Sequence, residues 1–322
     1  MTDPQRAKVL SCAFQPLNNN VVATGNEKGF INIFNVSTGK PCGPSERIVA
    51  ISAASPPPNG ASGPTSSSIV SSPGVAAAAA SAFRRVSLGD KRGTGAKGGV
   101  TSGVTALAFD DAVNPGAILW AGTESGAIVA VGFDLKTGKL LTKTKRTVHI
   151  STSTSKPDGG VSEGVVASSF PFPVTSLQTK TWLSREARDP TLLANAGPNN
   201  LLLFRILTKP LGALQLRRSI SLAPDSPPPP LSPAFPSAAL DLPVRSNFCP
   251  LMSFSEGACV ISGSLDCGVN FFDVARDTPR PCVNRLLGHA APTLDVAFNF
   301  DESLLASCDA AGLVIVWKRE KM

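Results

Sequence analysis

Two histidines, His149 and His289, and seven cysteines are the side chains of this 322-residue chain best suited to acid–base, nucleophilic or metal chemistry. With no tyrosine present, general acid–base work would otherwise fall on carboxylates and lysines. The cysteines stand at Cys12, Cys42, Cys249, Cys259, Cys267, Cys282 and Cys308, with no CxxC pair among them. Without a CxxC pair, and with only His149 and His289 to join the cysteines, the usual Cys/His zinc spacing is missing, so no metal site is expected. The chain contains no HExxH and no P-loop, and the glycine-rich run GTGAKGG at 93–99 lacks Walker spacing. No catalytic residue and no cofactor are therefore expected, and no small-molecule substrate. The one string that invites a binding hypothesis is Ser184-Arg185-Glu186-Ala187-Arg188-Asp189-Pro190. Its two arginines and two acids can pair internally or, exposed on a rigid scaffold, dock a partner.

The elements that would carry these residues follow from self-similarity. One pattern recurs: an apolar strand, a polar turn, a second strand ending in small residues, a tight turn, a third strand. The first copy reads VLSCAF from Val9, then NVVATG, NEKG and FINIFNV. The second starts at Val104 with VTALAF, AILWAG, TESG and AIVAVGF. The third opens at Val174, the fourth at Val244 and the last at Leu294, each with the same order of strands and turns. The runs are short, rich in Val, Ile, Leu and Phe, and punctuated by Gly, Asn or Asp. No segment sustains a helical period. The fold class is all-β.

A fourth strand is expected after each of the first four copies. Thr38-Gly39-Lys40 and Thr137-Gly138-Lys139 read as hairpin turns feeding residues 47–51 and 139–148, and 214–220 and 283–287 hold the same place in copies three and four. Four antiparallel strands per copy is the blade of a β-propeller, whose two apolar faces are buried only by stacking blades around an axis.

At Gly288-His289 and Trp317 the pattern resembles the WD-repeat family. In that family a His before the first strand, a Ser or Thr on the second, an Asp in the next turn and a Trp on the third form a hydrogen-bonded network. His289, Ser307 and Trp317 match it here, while the position six before Trp317 is Ala311 and Lys318 replaces the usual following Asp. In the fourth copy Asp266 matches, with no Gly-His before it and Phe272 in place of Trp. The resemblance implies a WD-repeat propeller with blades at about 9–51, 104–148, 174–222, 244–287 and 294–318. It also implies a seven-bladed ring, so that the five blades read as an N-terminally shortened, open version, with a closed five-blade ring as the alternative. Function implied by the family resemblance is a scaffold for other proteins; longer strings such as FQPLNNN (14–20) and VIVWKRE (314–320) resemble one member of that family and imply a nuclear, chromatin-associated role, with the cytoplasm also open.

Three insertions, about 52–103, 149–173 and 223–243, separate the blades. They are Ser/Gly/Ala/Pro-rich, Ser/Thr/Gly-rich and Pro-rich in turn, and read as linkers. Each joins an outermost strand to the next innermost strand, so all three should hang from one rim. Arg84-Arg85-Val86-Ser87 has the form of a basophilic kinase site, and Pro227–Pro230 with Pro233 and Pro236 offers PxxP spacing. Residues 43–103 hold six Lys/Arg against Glu46 and Asp90, more than half of the net charge of +7. That cluster suits a solvated tail, and it keeps open direct, sequence-nonspecific nucleic-acid binding as a second function. Charged residues are only 16% and hydrophobic residues 42%, which excludes disorder throughout. No window holds about 18 uninterrupted apolar residues, so no membrane-spanning helix is expected. The polar start MTDPQRAKVL suggests no signal peptide, and unpaired thiols fit a reducing compartment.

Overall fold

Each repeat copy forms a sheet because its apolar residues alternate between two sides of short runs bounded by turn formers. The computed structural model describes residues 3–48, 102–111, 113, 116–150, 173–183, 188–196, 200–222, 242–249, 259–274, 281–299 and 301–319. Apart from a few flanking positions, the three insertions lie outside the described residues, as do Arg84–Ser87 and Pro227–Pro236. Among the described residues there are nineteen strands and no helix.

Blade 1 holds β1 (Val9–Gln15), β2 (Asn18–Asn26), β3 (Phe30–Asn35) and β4 (Glu46–Arg47). Blade 2 holds β5 (Val104–Phe109), β6 (Ile118–Thr123), β7 (Ala127–Asp134) and β8 (Lys139–His149). In blade 3 are β9 (Val174–Leu183), β10 (Arg188–Ala196), β11 (Asn200–Leu207) and β12 (Ala213–Ser221). Blade 4 is β13 (Ser246–Phe248), β14 (Cys259–Gly263), β15 (Gly268–Asp273) and β16 (Cys282–Leu287). Blade 5 has three strands, β17 (Thr293–Phe298), β18 (Leu304–Asp309) and β19 (Val314–Lys318). Every sheet runs in sequence order with antiparallel neighbours. The architecture is a five-bladed arrangement of the β-propeller type.

Blades meet face to face through four apolar cores. Val21, Ile31 and Ile33 of blade 1 pack on Val104, Leu119 and Val129 of blade 2. Trp120 and Ile128 of blade 2 pack on Leu192, Leu202 and Phe204 of blade 3. Leu201 and Leu203 of blade 3 meet Val260 and Phe272 of blade 4, whose Ile261 and Val269 in turn meet Val296 and Leu305 of blade 5. Among the described residues no such core joins blade 5 to blade 1. The small residues that end the second strands explain how closely blades approach: a Cβ at Gly25 or Gly122 would collide with Val104 or Val174, the first residue of the next blade.

The sequence gives no sign of a bulge that recurs near the start of the innermost strands. Register shifts fall between Val9 and Ser11, Val104 and Ala106, and Thr293 and Asp295, with another opposite Val174. A bulge re-aims side chains, and here it turns hydroxyls onto the neighbouring blade. Ser11 donates to the Val104 carbonyl at 2.9 Å, Thr105 to that of Val174, and Thr175 to that of Val244 at 2.7 Å. At the fourth joint the Arg245 N–H donates to the Leu294 carbonyl at 2.7 Å. A polar ladder thus runs from blade 1 to blade 5 around the axis.

Two rims result. The turns between second and third strands lie on one of them, with the ends of the insertions beside them: Ile48 N–H donates to Gly29 O at 2.8 Å and Ile150 N–H to Gly126 O at 3.1 Å. The turns between first and second, and between third and fourth strands, occupy the opposite rim.

Candidate functional site

The densest polar constellation is in blade 5. His289 precedes β17, Ser307 and Asp309 lie on β18, and Trp317 lies on β19. His289 Nδ1 is 2.9 Å from Asp309 Oδ2, His289 Nε2 is 2.7 Å from Ser307 Oγ, and Trp317 Nε1 donates to Ser307 Oγ at 2.8 Å. The His289 and Asp309 side chains are 0% and 1% exposed. One set of protons satisfies every atom: indole N–H to hydroxyl oxygen, hydroxyl O–H to Nε2, and Nδ1–H to carboxylate. Gly288 is required beside it, because a Cβ there would enter the Trp317 ring.

Counting back six from Trp317 to Ala311 had left this network without its acid. Asp309, two residues earlier, supplies it. It ends β18, so its Oδ1 accepts the N–H groups of Ala311 and Leu313, each at 3.0 Å, while Oδ2 faces the imidazole. Burial works against ionisation of Asp309, but the hydrogen bonds from Leu313, His289 and Ala311 outweigh it and hold the carboxyl below the usual carboxylate range. A buried acid, base and hydroxyl resemble a catalytic triad in composition alone. Ser307 is 2% exposed, and its hydroxyl is committed to hydrogen bonds with both His289 and Trp317. The constellation is a structural clamp.

Asp266, the matching acid of blade 4, has a different partner. Its carboxylate pairs with Arg285 of β16 at 2.8 Å and accepts the Gly268 N–H at 3.1 Å. The side chain is 3% exposed while that of Arg285 is 39% exposed, so the pair closes the blade's outer hairpin from the solvent side.

Two further features were not foreseen from the sequence. The innermost strands of all five blades line a central channel of about 500 Å³, with Ser11, Thr105, Thr175 and Ser176 on its wall. Arg245 and Asp295 face each other there at 3.4 Å, both side chains more than a third exposed, which makes the pair a weak one. The second is Glu302, in the turn between β17 and β18 at φ 56° and 4% exposed, with neither carboxylate oxygen hydrogen-bonded. Burial pushes its carboxyl up, opposed by Arg319, whose Nη1 lies 3.9 Å from Oε2, and by Lys180. Among the described residues no cluster of three or more His, Cys, Asp or Glu could hold a metal ion.

Of the docking string, Arg185 and Glu186 lie outside the described residues. Arg188 and Asp189 belong to β10, paired with Leu183 and Trp182 of β9. The β9–β10 ladder therefore runs as far as Leu183 and Arg188, at the rim opposite the insertions. His149 ends β8 and is exposed.

Residues 280–318, blade 5 with the outer strand of blade 4, match the family model described as WD domain, G-beta repeat. The match covers the segment that carries the His289–Ser307–Asp309–Trp317 clamp. Together with five blades arranged as a propeller, it supports a WD-repeat family for this chain.

Proposed function

We propose that the chain is a non-enzymatic scaffold that holds partner proteins on the rims of a rigid propeller, in the nucleus and in association with chromatin-bound regulators of transcription. The observation that carries the scaffold reading is the continuous frame. Four apolar cores and a hydroxyl-to-carbonyl ladder fix the blades, so turns on both rims keep a constant geometry for docking. WD-repeat propellers typically bind other proteins, which agrees with it. The nuclear and chromatin role is supported by likeness of strings rather than by geometry. FQPLNNN (14–20), TWLSREARDPTLL (181–193), VRSNFCPLMSF (244–254), DESLLAS (301–307) and VIVWKRE (314–320) resemble WD repeat-containing protein 13.

The docking string 184–190 is assigned to partner contact, through Arg185, Glu186, Arg188 and Asp189. Affinity purification from nuclear extract with the full chain tests both levels. Chromatin proteins should co-purify, and reversing charge at Arg185 and Arg188 should remove a subset of them. If every partner stays bound, the docking assignment fails. If no chromatin protein is captured, the nuclear role fails. The net charge of +7 keeps direct nucleic-acid binding as a second reading. That reading requires DNA affinity that falls steeply with salt and ignores sequence.

A further inference from the structure

Three equivalent turns on the rim opposite the insertions share a composition. Between β3 and β4 the chain reads Asn35-Val36-Ser37-Thr38-Gly39-Lys40, and between β7 and β8 it reads Asp134-Leu135-Lys136-Thr137-Gly138-Lys139. Both close identically: the Gly39 and Gly138 N–H groups donate to the Asn35 and Asp134 carbonyls at 2.8 Å, with the glycines at φ 67° and 68°. The side chains of Asn35 and Asp134 cap the turns, accepting from Thr38 N–H and Lys136 N–H at 3.0 Å. With the ends tied, the next residue is directed outward, and Val36 is 41% and Leu135 49% exposed. In blade 3 the turn between β11 and β12 reads Thr208-Lys209-Pro210-Leu211-Gly212, with Leu211 39% exposed.

Lys40, Lys136, Lys139 and Lys209 stand beside these aliphatic tips, all exposed. None is within ion-pair distance of a carboxylate among the described residues. Asp134, the one acid in the three turns, is engaged by the Thr137 hydroxyl at 2.6 Å and by the Lys136 N–H. The turns end corresponding strands of three adjacent blades, so they lie on the same rim.

The composition of the turns selects the partner. Val36, Leu135 and Leu211 each stand on a separate turn with a lysine within four residues, so apolar and cationic groups are interleaved instead of forming the single apolar strip that a peptide helix would need. The turns contain no aromatic residue on which a nucleobase could stack. Exposed aliphatic tips, each with at least one lysine in the same turn, suit an anionic bilayer: the tips enter the headgroup layer and the lysines meet lipid phosphates. We propose that this rim of blades 1–3 docks on an anionic lipid surface through Val36, Leu135 and Leu211 with Lys40, Lys136, Lys139 and Lys209. This goes beyond the protein-scaffold reading and does not rest on it.

Flotation of the full chain with phosphatidylcholine vesicles, with and without phosphatidylserine, tests it. Binding is expected only to the phosphatidylserine vesicles. Because each lysine near such a surface contributes about 1 kcal/mol, K136E/K139E/K209E should weaken it by at least about a hundredfold. A second variant, V36S/L135S/L211S, should also weaken it, at unchanged net charge. All six positions are exposed, so circular dichroism of both variants should match the parent. Equal binding to both vesicle types overturns the proposal, as does binding that survives either set of substitutions in folded protein. Capture of an acidic peptide by this rim without vesicle binding overturns it too.

Discussion

Blade 2 and blade 5 are built from the same repeat and are stabilised by different means. Every residue of β6 is buried, and seven of the eight residues of β7, because blades 1 and 3 cover both faces. Trp120 sits in that core at 0% exposure, its indole N–H without a partner. In blade 5 one face packs on blade 4, while Leu304, Val314 and Val316 on the other are 39%, 62% and 64% exposed. That blade has three strands, and it is there that the clamp of His289, Ser307, Asp309 and Trp317 is complete. The difference teaches that the complete polar clamp stands in a blade packed on one face only, where directional hydrogen bonds add to packing that in blade 2 comes from both sides.

The largest expected effect is in blade 2. Trp120→Ala should destabilise by about 3–5 kcal/mol, the usual range for emptying a large aromatic site. Trp120→Phe should cost much less, since no hydrogen bond of the indole is lost. Both are read from urea midpoints. Next comes the clamp: His289→Ala should cost about 2–4 kcal/mol by leaving the Asp309 carboxylate and the Ser307 hydroxyl buried without their partner. Trp317→Phe removes one hydrogen bond and should cost about 1 kcal/mol. A His289→Ala cost above that of Trp120→Ala would break the comparison.

The pH dependence sharpens it. The Asp309 carboxyl is held below its ordinary value in the fold, so the stability it contributes is complete above about pH 4. That contribution is lost as pH falls through the depressed value. Asp309→Asn should flatten this acid limb in urea midpoints measured against pH, whereas Glu302, pushed the other way by burial, should leave it in place when changed to Gln.

The inter-blade ladder should show an effect of the same size as Trp317→Phe. Thr175→Val should cost about 1 kcal/mol, through one hydroxyl-to-carbonyl bond. No large energy attends the last expectation. Cys12 and Cys282 are exposed, whereas Cys249 and Cys259 are buried, and a hydrogen bond to Cys259 together with burial raises the Cys249 thiol. Alkylation followed by mass spectrometry should mark the first pair quickly and the second only after denaturation.

Much of the fold was legible because a blade is a local object. Alternation, turn residues and the repeat of Val-initiated strands place β1–β3, β5–β7 and β17–β19 from sequence. Gly288-His289 and Trp317 identify the clamp by type. Its acid was missed because counting positions from Trp317 assumes a fixed turn length, while hydrogen-bonding geometry accepts Asp309 at the strand end. Arg285 as the partner of Asp266 had no signal either, since the two meet only when β16 folds back on β15. The bulges at Leu10, Thr105 and Thr175 leave no trace in composition.

Hydrophobic period and turn chemistry act over a few residues, so the chain alone dictated the strands, their order within each sheet and the hairpins at Gly39 and Gly138. Which faces are covered depends on which sheet arrives opposite, and only assembly in three dimensions decided that. Four joints closed with apolar cores, innermost strands gathered around a channel, and the lysines and aliphatic tips of three distant turns came to share one rim, because stacking brings together residues that no local pattern relates.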